Sequence, residues 1–110
     1  MNILITGSLG HVGGRIANYL KEKESHAHIL LITRNKNRKV PQWTERSTIL
    51  EIDTIDESSI VNCLKDRDIN IIIHLVALNE IDSIKDPKLA LEVNTKGTYG
   101  YRKTSFCFYC

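Results

Sequence analysis

The segment ITGSLGHVGGRIANYL, residues 5–20, sets Gly7, Gly10 and Gly13 three residues apart between two apolar runs. The run before it, NILIT (Asn2–Thr6), is β-branched and ends at the first glycine, which reads as a buried parallel strand. The run after it, from His11 to about Lys23, carries Val12, Ile16, Tyr19 and Leu20 at helical spacing, with Lys and Glu on its outer face. Few folds need a strand that passes through so bare a turn into a helix. In a doubly wound α/β sheet the first glycine permits the tight turn. The second lets a pyrophosphate approach the backbone, and the third lets the helix pack close to the strand. Gly14 fits the same close packing. The helix N-terminus adds N–H groups without intrahelical partners and a partial positive charge. A Walker-type phosphate loop does not fit, because it ends in Gly-Lys-Ser/Thr and this loop does not.

The remaining chain repeats the strand–helix alternation. HILLIT (His28–Thr33) is a second apolar strand, followed by a polar stretch with Pro41 that reads as a loop, with room for one helical turn. TILEI, residues 48–52, is a third strand. Asp56 is placed to cap a helix running to about Asp66, with Glu57 in its first turn and Ile60, Val61 and Leu64 on its apolar face. NIIIHLV, residues 70–76, is a fourth strand, apolar on both faces. After a polar loop, Pro87 opens a helix holding Leu89, Leu91 and Val93. The order β-α-β-loop-β-α-β-α predicts an α/β fold with a parallel sheet covered on both faces. Right-handed crossovers give strand order 3-2-1-4, the first part of a Rossmann sheet.

Composition narrows the functional classes. A chain of 110 residues is one domain, and a formal charge of +2 is too small to imply nucleic acid. The basic residues cluster at Arg34, Lys36, Arg38 and Lys39, a solvated loop or a phosphate-binding one. No apolar run approaches the roughly 20 residues that span a bilayer. No secretory signal is legible at MNILITG, so a cytoplasmic protein is expected. Three cysteines make no disulfide framework: Cys63 reads as a small apolar filler, and the Cys107-x-x-Cys110 pair lacks further soft ligands for a metal.

Thr6-Gly7-x-x-Gly10-x-x-Gly13 resembles the TGxxGxxG signature of the short-chain dehydrogenase/reductase superfamily. Three further stretches sharpen the likeness to its extended branch, the NAD-dependent epimerase/dehydratase family. Asp53 in LEIDTID resembles the family's Asp after strand three, which contacts the adenine ring. His74-Leu75-Val76-Ala77 resembles the HLAA stretch beside the ribose and nicotinamide. PKLALEVNTKGT resembles the segment holding the family's N-x-x-G-T, with Asn94 as its structural Asn. The resemblance covers roughly residues 1–98. It implies a cofactor site built from the loop Gly7, Ser8, Leu9, Gly10, His11, Val12 and Gly13. Asp53 and Thr54 would join it after strand three, Leu75, Val76 and Ala77 after strand four, and Asn94 from the following helix. The bland alternatives are a strand-ending turn at Asp53, an ordinary helix residue at Asn94 and a satisfied core histidine at His74. The resemblance gives His74 no catalytic role.

Strand two ends LLITRNKNR, with Thr33 and Arg34 where an NAD-preferring site carries Asp or Glu. Arg34 can pair a ribose 2′-phosphate through two N–H donors, so NADP is expected in preference to NAD. The alternative is an exposed Arg34 with NAD held by the other contacts.

The resemblance also implies a Tyr-x-x-x-Lys catalytic pair beyond the N-x-x-G-T segment. Tyr99 and Lys103 meet the spacing, yet they follow Gly97-Thr98 directly, on a helix expected to lie far from the active position. No catalytic residue is therefore assigned. Residues 1–98 read as an incomplete NAD(P)-binding Rossmann domain. Residues 99–110, YGYRKTSFCFYC, read as an atypical tail without helical periodicity, as a lost reading frame would produce. On that reading strand four is an exposed apolar edge, and stability, solubility and cofactor affinity are all weak. Three functions fit. The chain is the cofactor-binding portion of an epimerase, dehydratase or reductase acting on nucleotide sugars or similar small molecules, with the catalytic half absent. Otherwise it is a non-catalytic NADP(H)-binding module, or a truncated product without function. No nucleic-acid or membrane partner is expected.

Overall fold

A computed structural model describes residues 1–9, 11–34, 37, 40, 42, 44, 47–75, 80–102 and 107–109, with the backbone alone at 11, 80–82 and 107–109. The strands are β1 (Asn2–Thr6), β2 (His28–Thr33), β3 (Thr48–Glu51), β4 (Ile71–His74) and β5 (Cys107–Tyr109). The helices are α1 (His11–Lys23), α2 (Glu57–Leu64), α3 (Glu80–Lys85), α4 (Pro87–Leu91) and α5 (Thr98–Arg102), with a π-helical segment, Glu92–Gly97, joining α4 to α5. The sheet order is β3-β2-β1-β4-β5, and every pairing is parallel.

Alternation along the strands divides the core between the two faces of the sheet. Leu4, Leu30, Ile32 and Ile72 face α2 and α5, where they bury Ile60, Leu64 and Tyr101. Ile3, Ile5, Ile29 and Leu31 face α1 and bury Ala17, with Ile16 and Leu20 packed at the margin. Register carries this through the sheet: Leu4 lies beside Leu30 on one side and Ile72 on the other. A strand buried on both faces has no polar positions to spare, which is why NILIT and HILLIT are near-continuous apolar runs.

Local chemistry sets the helix ends. Asp56 Oδ1 accepts from Ser58 N at 3.0 Å and caps α2. Asp86 Oδ1 accepts from Leu89 N at 3.0 Å, with Pro87 in the first turn of α4, where its missing N–H is no loss. At the opposite end of the sheet, Asn2 Nδ2 donates to Arg67 O and Asp68 O and ties β1 to the α2–β4 loop. Asp68 there takes φ 46°, which a short polar side chain tolerates.

Three expectations are corrected. Strand four is an inner strand: β5 pairs with it through Ile71↔Cys107, Ile72↔Phe108 and Ile73↔Tyr109. The helix opened by Pro87 continues through the π-helical segment to Arg102, and Tyr101 is fully buried in the core, so packing runs across residue 98 without a break. The stretch before Pro87, expected as loop, contains α3. The elements are also trimmed: β3 stops at Glu51, α2 at Leu64 and β4 at His74. Leu89 and Leu91 lie in α4 as expected, with Leu91 63% exposed and Ala90 the buried residue of that helix. Because β5 covers the ladder of β4, a chain ended after Arg102 is expected to aggregate at lower concentration than the full chain in light scattering.

Candidate functional site

The C-terminal ends of β1, β2, β3 and β4 lie along one edge of the parallel sheet, where this architecture places its ligand crevice. Gly7 leaves β1 at φ 67°, a conformation that side-chain-bearing residues rarely take. Gly13 lies so close behind it that a Cβ would stand 2.2 Å from Gly7 O and 2.8 Å from Ser8 Cα. The turn and the first helical turn are thus packed backbone to backbone, and both glycines are required by geometry. The α1 helix has 13 residues and no acidic residue in its first turn, so nothing on it opposes an anion. Val12 is 60% exposed there. Ser8 turns inward instead: it is fully buried, and its Oγ accepts from Ile32 N at 3.4 Å. Leu9 is half-buried. Gly10 lies outside the described residues, and His11 is described by its backbone alone.

On the β4 side the strand end is held by a buried polar chain. Thr6 Oγ1 accepts from Leu75 N at 3.0 Å and lies 2.8 Å from His74 Nδ1. His74 Nε2 lies 3.0 Å from Thr98 Oγ1, and the Thr98 hydroxyl donates to Asn94 O at 3.0 Å. With the Thr98 proton so directed, its oxygen accepts from Nε2–H, and in the neutral ring Nδ1 then accepts from Thr6. Both ring nitrogens are engaged. Burial pushes its pKa down from 6.5 to about 4. Val76 and Ala77 lie outside the described residues. Asn94 is exposed, and its carbonyl closes the chain from His74.

On the β3 side Asp53 folds back on its own turn. Its Oδ1 accepts from Ile55 N at 3.2 Å, its N–H donates to Ser59 Oγ at 3.1 Å, and its carbonyl accepts from Asp56 N at 3.0 Å. Asp53 is exposed, as is Arg34 at the end of β2. Lys36, Arg38 and Lys39 lie outside the described residues. Thr54 points inward, 6% exposed, with Oγ1 3.1 Å from Tyr101 Oη. The structure thus brings Gly7, Arg34, Asp53 and Leu75 to one edge and turns the side chains of Ser8 and Thr54 into the core.

Sequence reasoning missed the parts played by Thr98 and Tyr101. Both sit among glycines that hide the helical period, and their usable signal is the spacing Gly97-Thr98-x-Gly100-Tyr101. Each glycine lets the helix approach a neighbour: a Cβ on Gly97 would lie 2.5 Å from Thr54 Cγ2, and one on Gly100 2.7 Å from Ile60 Cδ1. Among the described residues no group of three or more His, Cys, Asp or Glu side chains is arranged to hold a metal. No helix among them is long and apolar enough to cross a membrane.

Known proteins share this fold. The backbone superposes on a UDP-glucose 4-epimerase of Thermotoga maritima, crystallised with UDP-glucose, at TM-score 0.80 and 21% identity, covering 94% of this chain and 33% of that one. A Thermus thermophilus UDP-glucose 4-epimerase in complex with NAD gives TM-score 0.79 and 21% identity, with coverage of 94% and 33%. An L-threonine dehydrogenase of Clostridium difficile gives 0.77 and 25%, with coverage of 94% and 32%. An uncharacterized protein of Methanocaldococcus jannaschii is 28% identical over 108 residues, 88% of this chain and 33% of that protein. The chain spans about a third of the length of these relatives. Residues 3–100 match the family model of the NAD dependent epimerase/dehydratase family. With a Rossmann sheet, a glycine turn at its head and a match over most of its length, the chain belongs to the NAD dependent epimerase/dehydratase family.

Proposed function

We infer that this chain binds a nicotinamide dinucleotide across the C-terminal edge of its sheet, with NADP preferred to NAD. The observation that carries the reading is the β1–α1 turn. Gly7 at φ 67° and Gly13 against its carbonyl bring the first turn of α1 to the strand end, with no acidic side chain on that turn. Such a turn accommodates a pyrophosphate on backbone N–H groups and the helix dipole. In this reading Gly7 to Gly13 hold the pyrophosphate, Asp53 and Thr54 flank the adenosine half, and Leu75, Val76, Ala77 and Asn94 flank the nicotinamide half. Bound there, the dinucleotide would supply hydride transfer.

NADP preference rests on Arg34, an exposed cation at the end of β2 where an acidic residue would repel a 2′-phosphate. Arg34→Asp is expected to lower the ratio of NADPH to NADH affinity about tenfold or more. Fluorescence titrations with the two reduced cofactors check this, and an unchanged ratio would remove Arg34 from the site.

The chain is read as the cofactor-binding part of an epimerase, dehydratase or reductase acting on a nucleotide sugar or a similar small molecule, without a catalytic pair of its own. One observation favours a second reading, a non-catalytic NADP(H)-binding module. Such a module needs a covered outer edge at β4, and β5 provides it. Stoichiometric NADPH binding by a monodisperse chain, without turnover, would support the module over a product without function.

A further inference from the structure

We propose that Tyr101 is a positioning residue whose hydroxyl, bonded to Thr54, holds the turn at residues 53–55 in the one conformation that receives the adenosine half of the dinucleotide. The proposal rests on the cofactor reading above. With the pyrophosphate at the β1–α1 turn and the ribose 2′ position read at the end of β2, the adenosine extends toward β3. The turn that follows β3 is the surface it meets.

That turn is divided between two directions. Asp53 is exposed and Ile55 is 38% exposed, while Thr54 between them is 6% exposed. Thr54 is the one residue of the three drawn into the protein, and it is gripped from a single helix. Its Oγ1 lies 3.1 Å from Tyr101 Oη, and Gly97 of the same helix approaches so closely that a Cβ would stand 3.0 Å from Thr54 O. Tyr101 itself is fully buried, with its ring 5.2 Å from that of His74, whose own bonds reach β1 and Thr98. The Thr54–Tyr101 hydroxyl pair thus connects the presented turn to the anchored interior, beside the bond from Asp53 N–H to Ser59 Oγ on α2. A polar pair at such depth has no water to replace it if one member is lost.

A tyrosine that only filled the core would affect stability alone. The two roles separate with Tyr101→Phe, which keeps the ring, Thr54→Val, which keeps the shape of its partner, and Leu64→Val, which perturbs the same core cluster without touching the turn. The readouts are calorimetric affinity for ADP-ribose, which carries the adenosine and pyrophosphate without nicotinamide, and amide exchange at Ile55 and Asp56. Tyr101→Phe is expected to weaken ADP-ribose binding about three- to tenfold. It is also expected to speed exchange at those two amides beyond the effect of Leu64→Val. The double variant Y101F/T54V is expected to bind no more weakly than Tyr101→Phe, because both changes remove one interaction. Unchanged ADP-ribose affinity in Tyr101→Phe, with wild-type binding intact, would overturn this inference alone. Failure of the wild-type chain to bind ADP-ribose would overturn the cofactor reading and this inference with it.

Discussion

Gly13→Ala is expected to abolish dinucleotide binding and to destabilise the chain by about 3 kcal/mol. The added Cβ would stand 2.2 Å from Gly7 O, 2.7 Å from Gly7 C and 2.8 Å from Ser8 Cα. All three atoms are backbone, so no rotamer change relieves the contact. Relief requires α1 to withdraw from β1 or the turn to open, and either motion moves the N–H groups of the first helical turn. Ser8 would move with the turn, loosening its contact with Ile32 N. At an unhindered helix position the same change would stabilise by about 1 kcal/mol, because glycine is a poor helix former. The sign is therefore diagnostic. Urea unfolding with a dinucleotide titration checks both effects, and a stabilised variant with normal binding would contradict the close packing described above.

Acid is expected to weaken the fold through His74. In the folded chain burial lowers its pKa from 6.5 to about 4. In the unfolded chain the imidazole returns to about 6.5 and takes up a proton that the folded chain refuses. Stability from this group is complete above about pH 6.5. It is lost progressively as the pH falls toward 4, and below that it changes no further. The shift sets an upper limit of about 3 kcal/mol, and the hydroxyls of Thr6 and Thr98 around the ring bring the expected loss nearer 2 kcal/mol. Protonation would force Nδ1 to donate where it now accepts from Thr6, so the strain falls on the junction of β1 and β4. Urea midpoints at pH 7, 5 and 4 should fall more steeply for the wild-type chain than for His74→Gln. Imidazole nitrogen spectra should show the Nε2–H form persisting well below pH 6. A His74 that titrates near 6.5 would refute the buried network.

The parts of the fold legible in the sequence are those with a local chemical cause. NILIT and HILLIT are near-continuously apolar because both faces of their strands are covered, and that fixes a central parallel pair. Asp56 and Pro87 mark helix starts because capping and the missing N–H act within one turn. Other features depend on distant partners. The helix beyond Leu91 is obscured by Gly97 and Gly100, whose value lies in their approach to Thr54 and Ile60. The strand at Cys107–Tyr109 has three residues, too few to show alternation, and it is defined by its pairing with β4. The composition break at residue 99 reads as a lost reading frame, and residues 99–110 carry a core tyrosine and a strand paired with β4.

The same distinction holds in the site. Gly7 and Gly13 stand where their spacing places them, since backbone conformation and close approach are local demands. Ser8 and Thr54 belong to the expected binding set, yet their hydroxyls face Ile32 and Tyr101, partners 24 and 47 residues away. His74 is the satisfied core histidine that its sequence reading allows: its ring nitrogens join two threonines in the interior.

The glycine turn and the ends of β2, β3 and β4 are proposed to form one dinucleotide site. The most direct measurement is an amide chemical-shift titration of the isotope-labelled chain with NADPH. Saturable shifts at Gly7, Ser8, Val12 and Gly13, together with Arg34, Asp53 and Leu75, are the predicted result. No saturable shift, or shifts confined to other surfaces with the β1–α1 turn unmoved, would contradict it.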